Sequence, residues 1–340
     1  MCGPAALSGE SRRSLGAFLT DSRPRNGDRW LEPEASVTTL LRAPVLIATD
    51  GTDDSAGALA VAAHLARLRG ANIRPLTVLE RGGFPTAGGE PLAASTAEWL
   101  ADSEIEQRAR ETVRRQVEAF LGPNAGGGVT FARGRVVSTI AKEAESAGVG
   151  LIMLGLHPHD LFDRISGEET ALRVAGTARL PLLAVTAKLS RLPRRCVVGV
   201  DFSPASERAA REALPLLDDG ATMVLAHVRP TVADRDRERS GQSYVLGVAE
   251  ALARIQASLP SPSRVTVETI TLEGETALQL LALADRSGAD LIAVGSHRHS
   301  FVGRFVLGSV VTTLIRAASV SLFVTPPSVP PADQGAFGPS

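Results

Sequence analysis

Residues 291–310 read LIAVGSHRHSFVGRFVLGSV. Leu291 to Val294 is a short, continuous apolar run, the pattern of a strand buried on both faces. It ends on Gly295. A basic loop carrying His297, Arg298, His299 and Arg304 then leads to Gly308 and Ser309, and the apolar spacing after them predicts a helix from Val310 to Ala318. A strand that hands over to a helix through such a loop gathers backbone N–H groups and the positive end of a helix dipole, which suits a phosphate. Glycine at 308 lets an anion approach the backbone with no Cβ in the way, and Ser309 adds a hydroxyl donor at the helix start. The loop's His and Arg side chains can neutralise phosphate oxygens.

Working outward, the chain alternates strands and helices. Pro44 to Thr49, Ile73 to Leu79, Val129 to Ala132, Leu151 to Leu154 and Leu182 to Val185 read as strands, with helices at Ala56 to Leu68, Ala97 to Leu121 and Val136 to Ser146 between them. The second half repeats the first. Cys196 to Val200 ends on Asp201 as Val45 to Thr49 ends on Asp50, and Ser206 follows Asp201 at the interval by which Ser55 follows Asp50. Gly274 precedes Gly295 by the interval at which Gly134 precedes Gly155. A repeat of this length is a duplicated domain, not a solenoid of small units. The expected fold is therefore α/β: two tandem doubly wound domains, each a five-stranded, mostly parallel sheet with helices on both faces. The expected boundaries are a disordered N-terminal arm over 1–41, domains over 42–190 and 191–326, and a proline-rich tail over 327–340.

Composition narrows the function classes. The chain has 340 residues, enough for two cores, and its apolar share of 44% with 21% charged is ordinary for a globular protein. Aromatic residues are 4%, too few for a stacking surface on single-stranded nucleic acid, and a net charge of −1 supplies no attraction to a duplex or an anionic membrane. Cys2 and Cys196 form no disulfide framework, and no apolar run reaches the length of about eighteen residues that a membrane span needs. A cytoplasmic location, with neither nucleic acid nor membrane as partner, is the expectation.

The spacing of Gly295, Gly308 and Ser309, with its flanking strand and helix, resembles the signature of the universal stress protein family. In ATP-binding members a second glycine stands three residues after the first; here that position is Arg298, whose guanidinium can bind a phosphate but whose backbone cannot approach one as glycine would. The resemblance implies ATP, with or without Mg, as cofactor. It places Asp201, Phe202 and Ser203 and the main chain of Val228 at the adenine, Val294, Gly295, His297 and Arg298 along the ribose and phosphates, and Gly308, Ser309 and Val310 at the phosphate tail. It also implies that the last strands of the two copies, Leu182 to Val185 and Ser321 to Val324, pair within the chain, with a homodimer as a further expected assembly; an exposed last strand has to be paired or covered.

Asp201 has a simpler reading as well, as the cap of a turn before Pro204 at a first helical position. The first copy departs from the pattern: residue 158 is proline, and Gly167-Glu168 stands where Gly-Ser is expected. Glu168 and Glu169 stabilise a helix N-terminus and repel a phosphate there, so the first copy is expected to keep the fold and lose the nucleotide. His157 with His159, and His297 with His299, are alternating pairs without a Cys or carboxylate partner in the sequence, so no metal site is expected. His227 and His64 read as packed or surface residues.

The function expected from all this is that of a tandem, adenine-nucleotide-binding regulatory protein of the stress response, with its ATP site in the C-terminal domain and no designated catalytic residue. A slow ATP hydrolase or nucleotide transferase of the same fold is one alternative, although no Walker-type Gly-Lys-Ser/Thr is present. An interaction module without nucleotide is the other.

Overall fold

The computed structural model describes residues 39–80, 96–156, 167–231, 237–260, 264–296, 307–317 and 319–326. The first half runs α1 (Thr39–Arg42), β1 (Val45–Ala48), α2 (Ala56–Arg69), β2 (Ile73–Leu79), α3 (Thr96–Leu121), β3 (Thr130–Arg133), α4 (Val136–Ser146), β4 (Leu151–Leu156), α5 (Gly167–Thr177) and β5 (Leu182–Thr186). The second runs β6 (Arg195–Gly199), α6 (Pro204–Ala213), β7 (Ala221–Arg229), α7 (Arg237–Ser258), β8 (Val265–Glu273), α8 (Thr276–Ser287), β9 (Leu291–Gly295), α9 (Ser309–Ala317) and β10 (Ser321–Thr325).

All ten strands lie in one sheet, in the order β3-β2-β1-β4-β5-β10-β9-β6-β7-β8. Neighbours within each half are parallel. The halves meet where β5 and β10 run antiparallel, Leu183 opposite Phe323. In each half the chain winds outward from its first strand and then crosses to that strand's other side, so a topological switch point falls between β1 and β4 and again between β6 and β9. In an open α/β sheet that is where ligands bind, beyond the carboxyl ends of the strands.

The strands are apolar on both faces because both are covered. Val45 and Ile47 of β1 enter one core with α2, α3, α6 and α7, while Leu46 enters the other with α4, α5, α8 and α9. Each core runs through both halves. Leu183 and Val185 share one with Val198 and Phe323, and Leu182 and Ala184 share the other with Ile292 and Leu322. Leu189 and Leu192, in the connection between the halves, are buried in the first of these. Burial of that kind is the main stabilising term of the seam.

The expected N-terminal arm extended to residue 41. The structure instead forms a helical turn over Thr39–Arg42, with Leu40 only 5% exposed. The backbone there lies against Gly150, where a Cβ would come 2.5 Å from the Leu40 carbonyl oxygen. The short apolar cluster from Val37 to Leu41 carries no helical or strand periodicity, which is why the sequence pattern missed this contact.

A polar strap also joins the halves. Arg69, at the end of α2, donates to the Leu217 carbonyl at 2.9 Å and to Asp219 Oδ1 at 2.8 Å. The hydrogen bond from Arg69 holds the Asp219 carboxyl below its ordinary value, with Arg264 adding to the effect and desolvation opposing it. A carboxyl lowered in the folded state favours folding above its unfolded value, and that contribution is lost as pH falls through the folded value. Arg69→Met should return Asp219 toward the ordinary carboxylate range. An NMR titration of the Asp219 carboxyl checks this, and a midpoint unmoved by the substitution would show that Arg69 is not its cause.

Candidate functional site

At the end of β6 the Val200 N–H bonds the Ala226 carbonyl at 2.9 Å, and the chain then leaves the sheet. Asp201 is exposed, and its Oδ1 accepts the Ser203 N–H at 3.0 Å. Ser203 in turn caps α6: its Oγ accepts from Ser206 N–H at 3.2 Å, and Pro204 takes the first helical position. The turn-capping role of Asp201 is thus present, and the carboxylate still faces outward at the mouth of the switch point. Asp50 does the same in the first half, its Oδ1 accepting from Thr52 N–H at 3.0 Å and Thr52 Oγ1–H at 2.7 Å.

The residue after this aspartate must be left-handed. In the first half it is Gly51, at φ 84°, and in the second it is Phe202, at φ 63°. A side chain in that region costs about 1–2 kcal/mol. Phe202 offsets this by packing on the core, with its ring 4.6 Å from that of His227. His227 is 8% exposed, and its Nδ1 lies 2.8 Å from the Val200 carbonyl oxygen. Thr77 holds the corresponding place in the first half, its Oγ1 donating to the Thr49 carbonyl at 2.8 Å. His227 is therefore a brace for the loop that carries Asp201. His64, on α2, is half-buried with Nδ1 2.9 Å from the Ala60 carbonyl oxygen. Val228 is half-buried and pairs with Leu272 of β8.

The glycines divide into two kinds. A Cβ on Gly295 would lie 2.4 Å from the Ala205 carbonyl carbon and 2.6 Å from the Ser206 nitrogen, so the first turn of α6 can sit there only against glycine. A Cβ on Gly155 would meet the Asp54 carbonyl oxygen at 2.5 Å for the same reason. Both halves keep this glycine because of the fold. Gly308 differs: among the described residues nothing lies within 4 Å of where its Cβ would be. Its carbonyl accepts the Thr312 N–H at 3.0 Å, placing it at the start of α9. Ser309 is exposed, Val310 is half-buried, and the first turn of α9 holds no acidic residue. The helix in the same place in the first half, α5, opens with Gly167, Glu168 and Glu169.

Val294 is 4% exposed, and its ladder partners are Gly199 and Val324, so its side chain packs beneath Gly295. His297, Arg298, His299 and Arg304 lie outside the described residues, as do Pro158 and the pair His157 and His159. Among the described residues no group of three His, Cys, Asp or Glu side chains converges as a metal site. No described helix is long and apolar enough to cross a membrane.

Comparison with known proteins fits this architecture. The model of the universal stress protein family matches residues 42–186 and again residues 193–326. A universal stress protein from Archaeoglobus fulgidus shares 20% identity with this chain, covering 83% of it and 98% of its own length, at a TM-score of 0.57. A functionally unknown protein from Pseudomonas aeruginosa PAO1 shares 16% identity, covering 86% of this chain and 94% of its own, at a TM-score of 0.55. At such identities the likeness establishes the fold, and function has to be argued from the site.

Proposed function

The chain belongs to the universal stress protein family, and from that premise we propose that it is a regulatory protein that binds an adenine nucleotide in its C-terminal half. The observation that carries the proposal is the contrast between Gly308 and Gly295. Packing explains Gly295, whereas Gly308 meets no described residue within 4 Å of its Cβ position and stands at the start of a helix without an acid in its first turn. A backbone that is bare where the fold does not require it, next to an exposed serine, is what close approach of an anion needs.

The residues present fit ATP. Asp201 and the main chain of Val228 stand at the adenine end, and Gly308, Ser309 and the N–H of Val310 hold the phosphate tail, with His297 and Arg298 contributed by the intervening loop. This arrangement favours binding over turnover. Fast hydrolysis needs a water oriented by a base and charge stabilisation specific to the transferring phosphoryl group, and the sequence has no acidic residue between Gly295 and Ser309. Contacts that hold ground state and transition state equally give affinity without acceleration.

Ser309→Glu tests the proposal by giving α9 the acidic start that α5 already has. ATP affinity of the full chain, measured by calorimetry, should fall at least tenfold, since a like charge replaces a donor at the phosphate. Thermal unfolding should be unchanged or slightly improved, because an acid at a helix N-terminus is favourable. ATP binding of undiminished affinity in the variant would refute this site.

A further inference from the structure

The turn after the aspartate is built differently in the two halves, and the difference leaves a cavity. In the first half α3 closes on Gly51: a Cβ there would come 3.1 Å from Val113 Cγ2, and Val113 is fully buried. In the second half the left-handed residue is Phe202, whose ring packs inward against that of His227. Beside it a cavity of about 360 Å³ opens between α6 and α7, lined by Phe202, Glu207, Ala251, Arg254, Ile255 and Ser258. It lies on the sheet face that α6 and α7 cover, whereas α9 packs on the opposite face.

The lining is apolar at its floor and carries one charge of each sign on its walls. Phe202, Ala251 and Ile255 form the floor, and Ile255 is only 6% exposed. Glu207 brings a carboxylate from α6, and Arg254 brings a guanidinium from α7. The two line one cavity without pairing with each other. Among the described residues Glu207 pairs with Arg211 of its own helix, at 4.0 Å, and Arg254 has no ion pair. Ser258 Oγ donates to the Ile255 carbonyl at 2.8 Å, so toward the cavity the hydroxyl can only accept.

Opposite charges held apart across an apolar floor are the complement of a zwitterion with an apolar side chain. A partner at each end offsets the desolvation of the ligand's two charges, and a guanidinium fork can grip a carboxylate through two parallel hydrogen bonds. A phosphate would meet the Glu207 carboxylate, and a plain hydrocarbon would leave both charges unmatched. We propose that this cavity binds a free α-amino acid with an apolar side chain, its carboxylate on Arg254, its ammonium on Glu207 and Ser258, and its side chain on Phe202 and Ile255. The site stands behind the Asp201 turn and does not depend on nucleotide binding at α9.

The test is NMR on the full chain with labelled methyl groups, because the methyls of Ala251 and Ile255 report this cavity. L-Leucine should shift them in a saturable way. Leucinamide, which lacks the carboxylate, and N-acetyl-leucine, which lacks the ammonium, should each bind about tenfold more weakly, as loss of a charge-assisted hydrogen bond predicts. Arg254→Met, at an exposed position, should weaken L-leucine by a similar factor and leave thermal unfolding unchanged. Methyls unmoved by L-leucine at about 10 mM, derivatives that bind as well as L-leucine, or undiminished binding by the Arg254→Met chain would each overturn the proposal.

Discussion

Phe323→Ala is expected to lower the unfolding free energy of the chain by about 3–5 kcal/mol, the range for removing a large aromatic side chain from a packed core. Phe323 is fully buried at 0% exposure and sits opposite Leu183 on the strand pair that joins the halves. Its core also contains Val185 and Leu189 of the first half and Cys196 and Val198 of the second. The cavity should therefore weaken both halves together. Hydrogen exchange read by mass spectrometry separates the outcomes: protection should fall in β4 and β5 as well as in β9 and β10. If only second-half peptides lost protection, the shared core would not couple the halves. The same coupling makes the full chain, rather than a separated half, the right material for ligand measurements, since cutting at the seam would expose the edges of β5 and β10.

Gly295→Ala is expected to cost about 1–3 kcal/mol through overpacking, since its Cβ would stand 2.4 Å from the backbone of Ala205, and backbone cannot turn aside as a side chain can. Gly155→Ala should behave alike against the Asp54 carbonyl oxygen at 2.5 Å. Gly308→Ser should differ in kind. Serine suits a helix start and no described residue lies within 4 Å of the new Cβ, so stability should hold within about 0.5 kcal/mol while ATP affinity falls. Urea denaturation and calorimetric titration of the three variants give the comparison. A Gly308→Ser protein destabilised as much as Gly295→Ala would mean that Gly308, too, serves the fold.

Much of the architecture was legible in the sequence because it depends on local order. Apolar runs such as Leu291 to Val294 announce strands covered on both faces, and Gly70 ends α2 in the left-handed conformation, φ 68°, that glycine adopts at least cost. The matched intervals from Asp50 to Ser55 and from Asp201 to Ser206 reveal the duplication before any contact is known. The acidic start of α5, against the Gly-Ser start of α9, is likewise written in the residues themselves. Such features need only neighbours within a few positions.

What only the tertiary structure decided involves backbones far apart in the chain. Gly295 and Gly308 look equivalent in sequence, yet one is forced by the first turn of α6 and the other is crowded by none of the described residues. His227 and Thr77 have no chemistry in common by spacing, but each bonds the carbonyl that precedes its half's aspartate, a role visible only once β6 lies beside β7 and β1 beside β2. Leu40 belongs to a short apolar cluster without periodicity, and its burial appears only once Gly150 comes against it. The cavity between α6 and α7 is likewise a gap between elements that sequence periodicity places singly. Periodicity reports which face of an element is apolar, whereas steric exclusion, loop bracing and cavities depend on what that face is packed against.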